Sequence, residues 1–124
     1  MLLKIETKER FHEIVLPGPV VSAKLAAEWE PELTSLLEQE VKNVVMSLKQ
    51  IDTMEPGGAE ILLNTQTRFY DHSASFVFCE ASEALEEQME QMEILEQMNL
   101  TPTLSEAWDM VQMEEIEREL MDDL

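Results

Sequence analysis

Apolar residues recur along the chain at two spacings, one typical of strands and one typical of helices. Residues 2–6 alternate between apolar and polar, and a second short apolar segment covers residues 11–16, where Pro17 ends it. A two-residue period predicts half-buried strands, here with Leu3 and Ile5 pointing inward. Because only a few polar residues separate the two segments, we expect a β-hairpin at this end of the chain.

Two continuous apolar runs, residues 44–48 and 75–79, lack this alternation. A strand without a polar face is typical of a parallel sheet that is covered on both sides. Residues 100–102 predict a short edge strand, because Pro102 is tolerated where no ladder hydrogen bond is required. We therefore expect two buried central strands and one short strand at an edge.

Four segments show the three- and four-residue spacing of amphipathic helices, beginning near residues 22, 56, 82 and 103. Pro31 predicts a kink or a restart within the first helix, and Ser82 and Thr103 are expected to cap the third and fourth. The order β-β-α-β-α-β-α-β-α predicts one α/β domain over residues 1–124. We expect a mixed four- to five-stranded sheet, helices mainly on one face, and a C-terminal helix.

The last helix carries two apolar faces. Leu104, Trp108 and Val111 share one face, and Met113, Ile116, Leu120 and Leu124 lie on nearly the opposite one. A helix that packs on a sheet buries a single stripe, so the second stripe needs another cover. Either the helix breaks and the tail, residues 113–124, folds back, or a second copy of the chain or a partner protein covers the stripe. The four residues of the second face are candidate contacts of a homodimer.

The charge of the chain narrows the classes of partner. The 27 acidic and 8 basic residues give a net charge of −19, and residues 80–124 contain a single base, Arg118. Such a field repels nucleic acids and anionic membranes and favours basic protein partners.

No apolar run approaches the ~20 residues that span a bilayer, so no membrane insertion is expected. The single cysteine, Cys79, excludes an internal disulfide and fits a reducing, cytoplasmic location.

No pattern of catalytic residues is found in the sequence. Neither His12 nor His72 lies at metal-ligand spacing from a second ligand, and the sequence has no phosphate-binding loop and no nucleophile elbow. Cys79 ends a buried strand, where a small core residue is expected rather than a nucleophile. We predict a protein that is not an enzyme and binds no cofactor or metal.

The segment of residues 51–58 joins a buried strand to a helix. A helix N-terminus favours anions, and Glu55 can supply that negative charge itself. Pro56 suits the first helical turn, and Gly57 and Gly58 allow a partner to approach the backbone closely. This loop is either a partner-binding surface or a plain helix start.

The stretch VVMSLKQIDTMEPGGAEILL, residues 44–63, resembles the core pattern of the STAS domain, the fold of bacterial anti-sigma-factor antagonists. That pattern is an apolar strand ending in Asp, an Asp-Ser-Ser-Gly-like turn, and a helix with paired leucines. The stretch PTLSEAWDMV, residues 102–111, is similar to the closing segment of the family. The resemblance implies a protein-binding domain for partner switching in transcription control, whose partner is an anti-sigma factor or switch kinase. An alternative within the family is an accessory subunit on the ATPase of a membrane lipid transporter.

The chain departs from the family pattern at the regulatory position. Glu55 stands where the family has Asp, Pro56 takes the first serine position, and Gly57 takes the serine that is phosphorylated. Ser47 stands where the preceding strand usually ends in Asp. The resemblance implies a partner surface made of Ser47, Thr53, Met54, Glu55, Pro56, Gly57 and Gly58. Because Gly57 has no hydroxyl, the usual phosphorylation switch is not expected, and Thr53 is the neighbouring alternative acceptor.

Overall fold

The computed structural model describes residues 3–122. In this part of the chain the strands are β1 (Ile5–Thr7), β2 (Phe11–Val15), β3 (Val20–Val21), β4 (Asn43–Ser47), β5 (Thr53–Met54), β6 (Phe76–Cys79) and β7 (Leu100–Thr101). The α-helices are α1 (Ala23–Ser35), α2 (Pro56–Asp71), α3 (Glu83–Gln91) and α4 (Leu104–Asp122). The predicted alternation of strands and helices is therefore confirmed.

The main sheet has five strands in the order β1-β2-β4-β6-β7. Strand β1 pairs with β2 in an antiparallel hairpin, and each of the other neighbours pairs in parallel. The sheet is thus mixed, with β4 at its centre and β7 at one edge, as predicted. Every residue of β4 and β6 is buried, which explains their continuous apolar sequence.

Helices cover both faces of the sheet, three on one side and one on the other. Alternate residues of a strand point to opposite faces, so Val44 and Met46 join the core beneath α1, α2 and α3. Val45 and Val77 face the other way and pack against Ala107 and Val111 of α4. The expectation of helices mainly on one face is confirmed, and α4 is the helix on the other face.

A second, two-stranded sheet was not predicted. Strand β3 pairs in parallel with β5, and Val21 lies opposite Met54. The sequence gives no periodic signal for strands of two residues, and β5 falls within the segment interpreted as a loop. The restart expected at Pro31 does not occur, because α1 continues through this exposed residue to Ser35.

Helix α4 does not break, so the alternative in which the tail folds back is wrong for residues 113–122. The helix runs without interruption to Asp122. Near its end, Arg118 Nη2 donates hydrogen bonds to Asn43 Oδ1 at 3.3 Å and to Ser75 Oγ at 3.1 Å. These contacts tie the helix to the amino ends of β4 and β6. Leu124, one of the candidate dimer contacts, lies outside the described residues.

Candidate functional site

The candidate loop lies where two helices begin side by side. Strands β3 and β5 are parallel and in register, and each is followed after one residue by a helix, α1 after β3 and α2 after β5. Backbone bonds hold the two segments together, since both Asp52 N and Thr53 N donate to the carbonyl oxygen of Pro19, at 2.7 and 3.2 Å. The N-termini of α1 and α2 therefore form one surface.

Glu55 connects the two helix starts. It is the N-cap residue of α2, yet its side chain makes no bond to the amides of that helix. Its Oε1 instead accepts a hydrogen bond from Ala23 N, the first residue of α1, at 3.0 Å, while its own amide donates to Val21 O at 2.9 Å. The negative charge predicted for the start of α2 therefore also lies beside the N-terminus of α1, where the helix dipole favours an anion.

The two glycines of the loop make room for the start of α1. A Cβ atom at Gly57 would lie 2.9 Å from Ala23 Cβ, and one at Gly58 would lie 2.7 Å from Val21 O. Real Cβ atoms essentially never approach other atoms so closely, so a side chain at Gly57 would press on α1 and one at Gly58 on β3. The close approach that the sequence predicted for a partner is made by the chain itself.

The predicted contact residues divide into exposed and buried sets. Thr53, Glu55 and Pro56 are exposed, and Gly57 is half-buried. Ser47, Met54 and Gly58 are buried in this conformation, so their direct contact with a partner stays a prediction. The accessible part of the loop is therefore the edge formed by residues 53 and 55–57.

The buried members of the predicted set hold the loop in place. Ser47 Oγ donates to Glu80 Oε1 at 2.8 Å, and Met54 N donates to Gln88 Oε1 of α3 at 2.6 Å. Glu80 adopts a left-handed backbone with φ of 64°, which aims its carboxylate back at the end of β4. Sequence reasoning missed Glu80 and Gln88, because both contacts join segments more than 30 residues apart.

The comparisons with known proteins agree with this architecture. The sequence matches the family model of the STAS domain over residues 3–107. This chain belongs to the STAS domain family. No curated protein sequence matches it.

Several solved structures share the STAS fold of this chain. A protein from Thermotoga maritima superposes with a TM-score of 0.77 at 12% sequence identity, covering 89% of this chain and 94% of that one. An anti-sigma factor antagonist from Mycobacterium paratuberculosis superposes with a TM-score of 0.73 at 16% identity, covering 89% of this chain and 92% of that one. The anti-sigma factor antagonist SpoIIAA, in its unphosphorylated form, superposes with a TM-score of 0.69 at 14% identity, covering 89% of this chain and 96% of that one. Identities this low establish the shared fold alone.

His12 and Cys79 are both buried in this STAS domain. His12 is buried, with Nδ1 2.9 Å from Thr7 Oγ1 and Nε2 2.7 Å from Val41 O. Burial and the neighbouring Glu80 raise the pKa of Cys79 to about 12, so its thiol stays protonated at neutral pH. Within residues 3–122, no group of three His, Cys, Asp or Glu side chains is placed to hold a metal ion, and no helix is long and apolar enough to cross a membrane.

Proposed function

We propose that this STAS domain is a non-catalytic regulatory protein that binds a protein partner through the exposed edge of residues 53 and 55–57. The partner is an anti-sigma factor or a related switch kinase in the cytoplasm, and the binding belongs to partner switching in transcription control. STAS domains are in general regulatory rather than catalytic, and the matched relatives include anti-sigma factor antagonists.

One observation carries the proposal: α1 and α2 begin side by side and leave Thr53, Glu55 and Pro56 exposed between them. The loop is held on both sides, by β3 through the backbone and by Gln88 through the amide of Met54. A surface fixed in this way loses little conformational entropy when a partner binds, which favours recognition. The carboxylate of Glu55 gives the surface a permanent negative charge that a basic side chain can contact.

The proposal includes binding without the usual phosphorylation switch. Gly57 offers no hydroxyl, and Ala23 Cβ occupies the space that a side chain at this position would need. Within residues 53–58, Thr53 carries the single hydroxyl group. Partner release is therefore controlled by something other than a phosphate at Gly57.

Affinity capture from extracts of the native host tests the proposal. The bait is the full chain, compared with Thr53→Arg and with the matched control Thr67→Arg. Thr67 is also exposed but lies about 11 residues into α2, roughly 16 Å from the loop at the rise of an α-helix. We expect a kinase or anti-sigma factor to be retained by the native chain and the control and lost from Thr53→Arg.

The identity of the captured protein decides between the two family functions. A transporter ATPase retained in the same pattern would replace the proposed function by the role of an accessory subunit. A protein retained equally by all three baits would show that the loop edge is not the binding surface, and the proposal would be wrong.

A further inference from the structure

A row of exposed apolar side chains lies on the outer face of α4. Met113, Ile116 and Leu120, which we name the α4 stripe, have exposed fractions of 61%, 55% and 62%. Met121 is also exposed but lies about 100° round the helix from Leu120. Among residues 3–122, the other exposed large apolar residues are Met121, at 72%, and Val20, at 36%. The residues of the stripe recur at helical spacing opposite Ala107 and Val111, which pack on the sheet. The stripe is thus a concentrated feature of one helix.

The helix that carries the stripe is fixed at both ends. Ala107 and Val111 pack on the sheet in its first half, and in its second half Arg118 bonds Asn43 and Ser75. Tyr70 Oη adds a hydrogen bond of 2.7 Å to Glu114 Oε1. The α4 stripe is therefore held in place rather than frayed.

The stripe lies far from the loop edge. Arg118 reaches the amino ends of β4 and β6, whereas the loop follows the carboxyl end of β4. The two surfaces are also on opposite faces of the sheet, because α4 packs on the face that α1 and α2 do not cover. A molecule on the stripe leaves the loop edge free.

Charge identifies the kind of molecule that can cover the stripe. Exposed acids border it on both sides, Glu117 on one side and Glu119 on the other. The single base of α4, Arg118, points inward to Asn43 and Ser75. A second copy of the chain would bring the same acids and a further net charge of −19 to this face, which disfavours a homodimer through it.

The small area of the stripe also disfavours a second copy of the chain as the molecule that covers it. Fully burying an aliphatic side chain removes roughly 60–120 Å² from water, so three cover roughly 180–360 Å². A complex of standard size buries about 800 Å² on each partner. The stripe is too small for a stable symmetric dimer held by apolar contact alone, and it needs the charge attraction that a basic partner adds.

We propose that the α4 stripe binds a basic amphipathic helix of another protein, with apolar residues of that helix on the stripe and its Lys and Arg residues against the bordering acids. Methionine side chains adapt to different apolar surfaces, which suits this mode of recognition. This binding is independent of the function proposed for the loop edge.

The test uses the full chain and three synthetic 18-residue peptides. One has leucines at helical spacing among lysines, one has the same composition scrambled, and one has glutamates in place of the lysines. We expect the basic amphipathic peptide to bind at least about tenfold more tightly than the scrambled one, and the acidic peptide not to bind. Fluorescence anisotropy of labelled peptide measures the dissociation constants.

Variants of exposed residues locate the binding without disturbing the fold. The double variant Ile116→Asn with Leu120→Asn should weaken binding of the amphipathic peptide by about tenfold or more. The control Asn64→Gln, exposed on α2 at the other face of the sheet, should change it less than about twofold. Equal affinity for the scrambled peptide, or an unchanged affinity of the double variant, would overturn the proposal. So would a concentration-dependent dimer in sedimentation that the double variant abolishes, because a second copy would then be the occupant.

Discussion

The carboxylate of Glu55 accepts a hydrogen bond from the backbone amide of Ala23, and this bond joins the beginnings of two helices that are 32 residues apart in the chain. The first four amides of any helix lack partners within the helix, and a negative charge beside them is favourable. Glu55 therefore satisfies an amide of α1 while its backbone starts α2. The geometry of the loop edge depends on this side chain.

Removing the Glu55 carboxylate should destabilise the protein modestly. We expect Glu55→Ala to lower the free energy of unfolding by about 0.5–1 kcal/mol, because a helix amide loses its acceptor and the helix ends lose a charge. Glu55→Gln should cost less, since its amide oxygen can still accept the bond. Urea denaturation measures both, with exposed Glu60→Ala as the control. Equal losses at positions 55 and 60 would contradict this role.

A side chain at Gly57 should clash with the start of α1. Gly57→Ala gains helix propensity, but its Cβ would meet Ala23 Cβ at 2.9 Å. Overpacking costs about 1–3 kcal/mol and the propensity gain is at most about 1 kcal/mol, so we expect a net loss of stability of about 1 kcal/mol. The same substitution in an Ala23→Gly background should cost distinctly less. A double-mutant cycle by urea denaturation measures this coupling. Additive changes in the free energy of unfolding would show that side chains at positions 23 and 57 do not clash.

Phosphorylation should not occur in the loop. When the native chain is incubated with its cognate kinase and ATP, we expect no phosphate on residues 53–58. The resemblance to the family pattern implies that Gly57, which has no hydroxyl, stands at the phosphoserine position. Mass spectrometry of the digested chain measures the modification. A phosphopeptide that contains Thr53 would show that the acceptor has moved to the neighbouring hydroxyl.

The buried thiol of Cys79 should make stability depend on pH in the alkaline range. Burial raises its pKa from 9.0 to about 12, so the folded state keeps the proton that the unfolded chain loses. The unfolded state then binds fewer protons, and stability falls as pH rises from about 9 toward 12, by at most about 1.4 kcal/mol per pH unit. Below pH 9 this contribution is fully present.

The variant Cys79→Ala isolates this effect, because it removes the thiol and leaves the other titrating groups. We expect the stability difference between the native chain and the variant to be constant from pH 7 to 8 and to shift against the native chain between about pH 9 and 10.5. Unfolding in urea at each pH measures it. A constant difference over the whole range would mean that the thiol ionises as easily in the folded state as in the unfolded one.

The sequence predicted the main sheet because its strands carry strong local signals. Residues 44–48 are continuously apolar, and in the structure β4 lies at the centre with both faces covered. The α4 stripe could also be predicted from the sequence, since helical spacing alone places Ile116 and Leu120 opposite Val111. These features depend on residues close together in the chain.

The details of the loop depend on contacts between distant segments and could not be read from the sequence. The pairing of β3 with β5 rests on two residues in each strand, too few for a periodic pattern. Whether Met54 faces solvent or the core follows from that pairing. The left-handed backbone of Glu80 has no glycine or asparagine to signal it.

The central claim, that a partner protein binds at the exposed loop edge, is tested most directly by photo-crosslinking. A benzophenone amino acid is placed at Thr53 in one variant and at Thr67 in another, and both are irradiated in extracts of the native host. The account predicts a crosslinked partner from position 53 and none from position 67. Crosslinking to the same protein from both positions, or from position 67 alone, would contradict it.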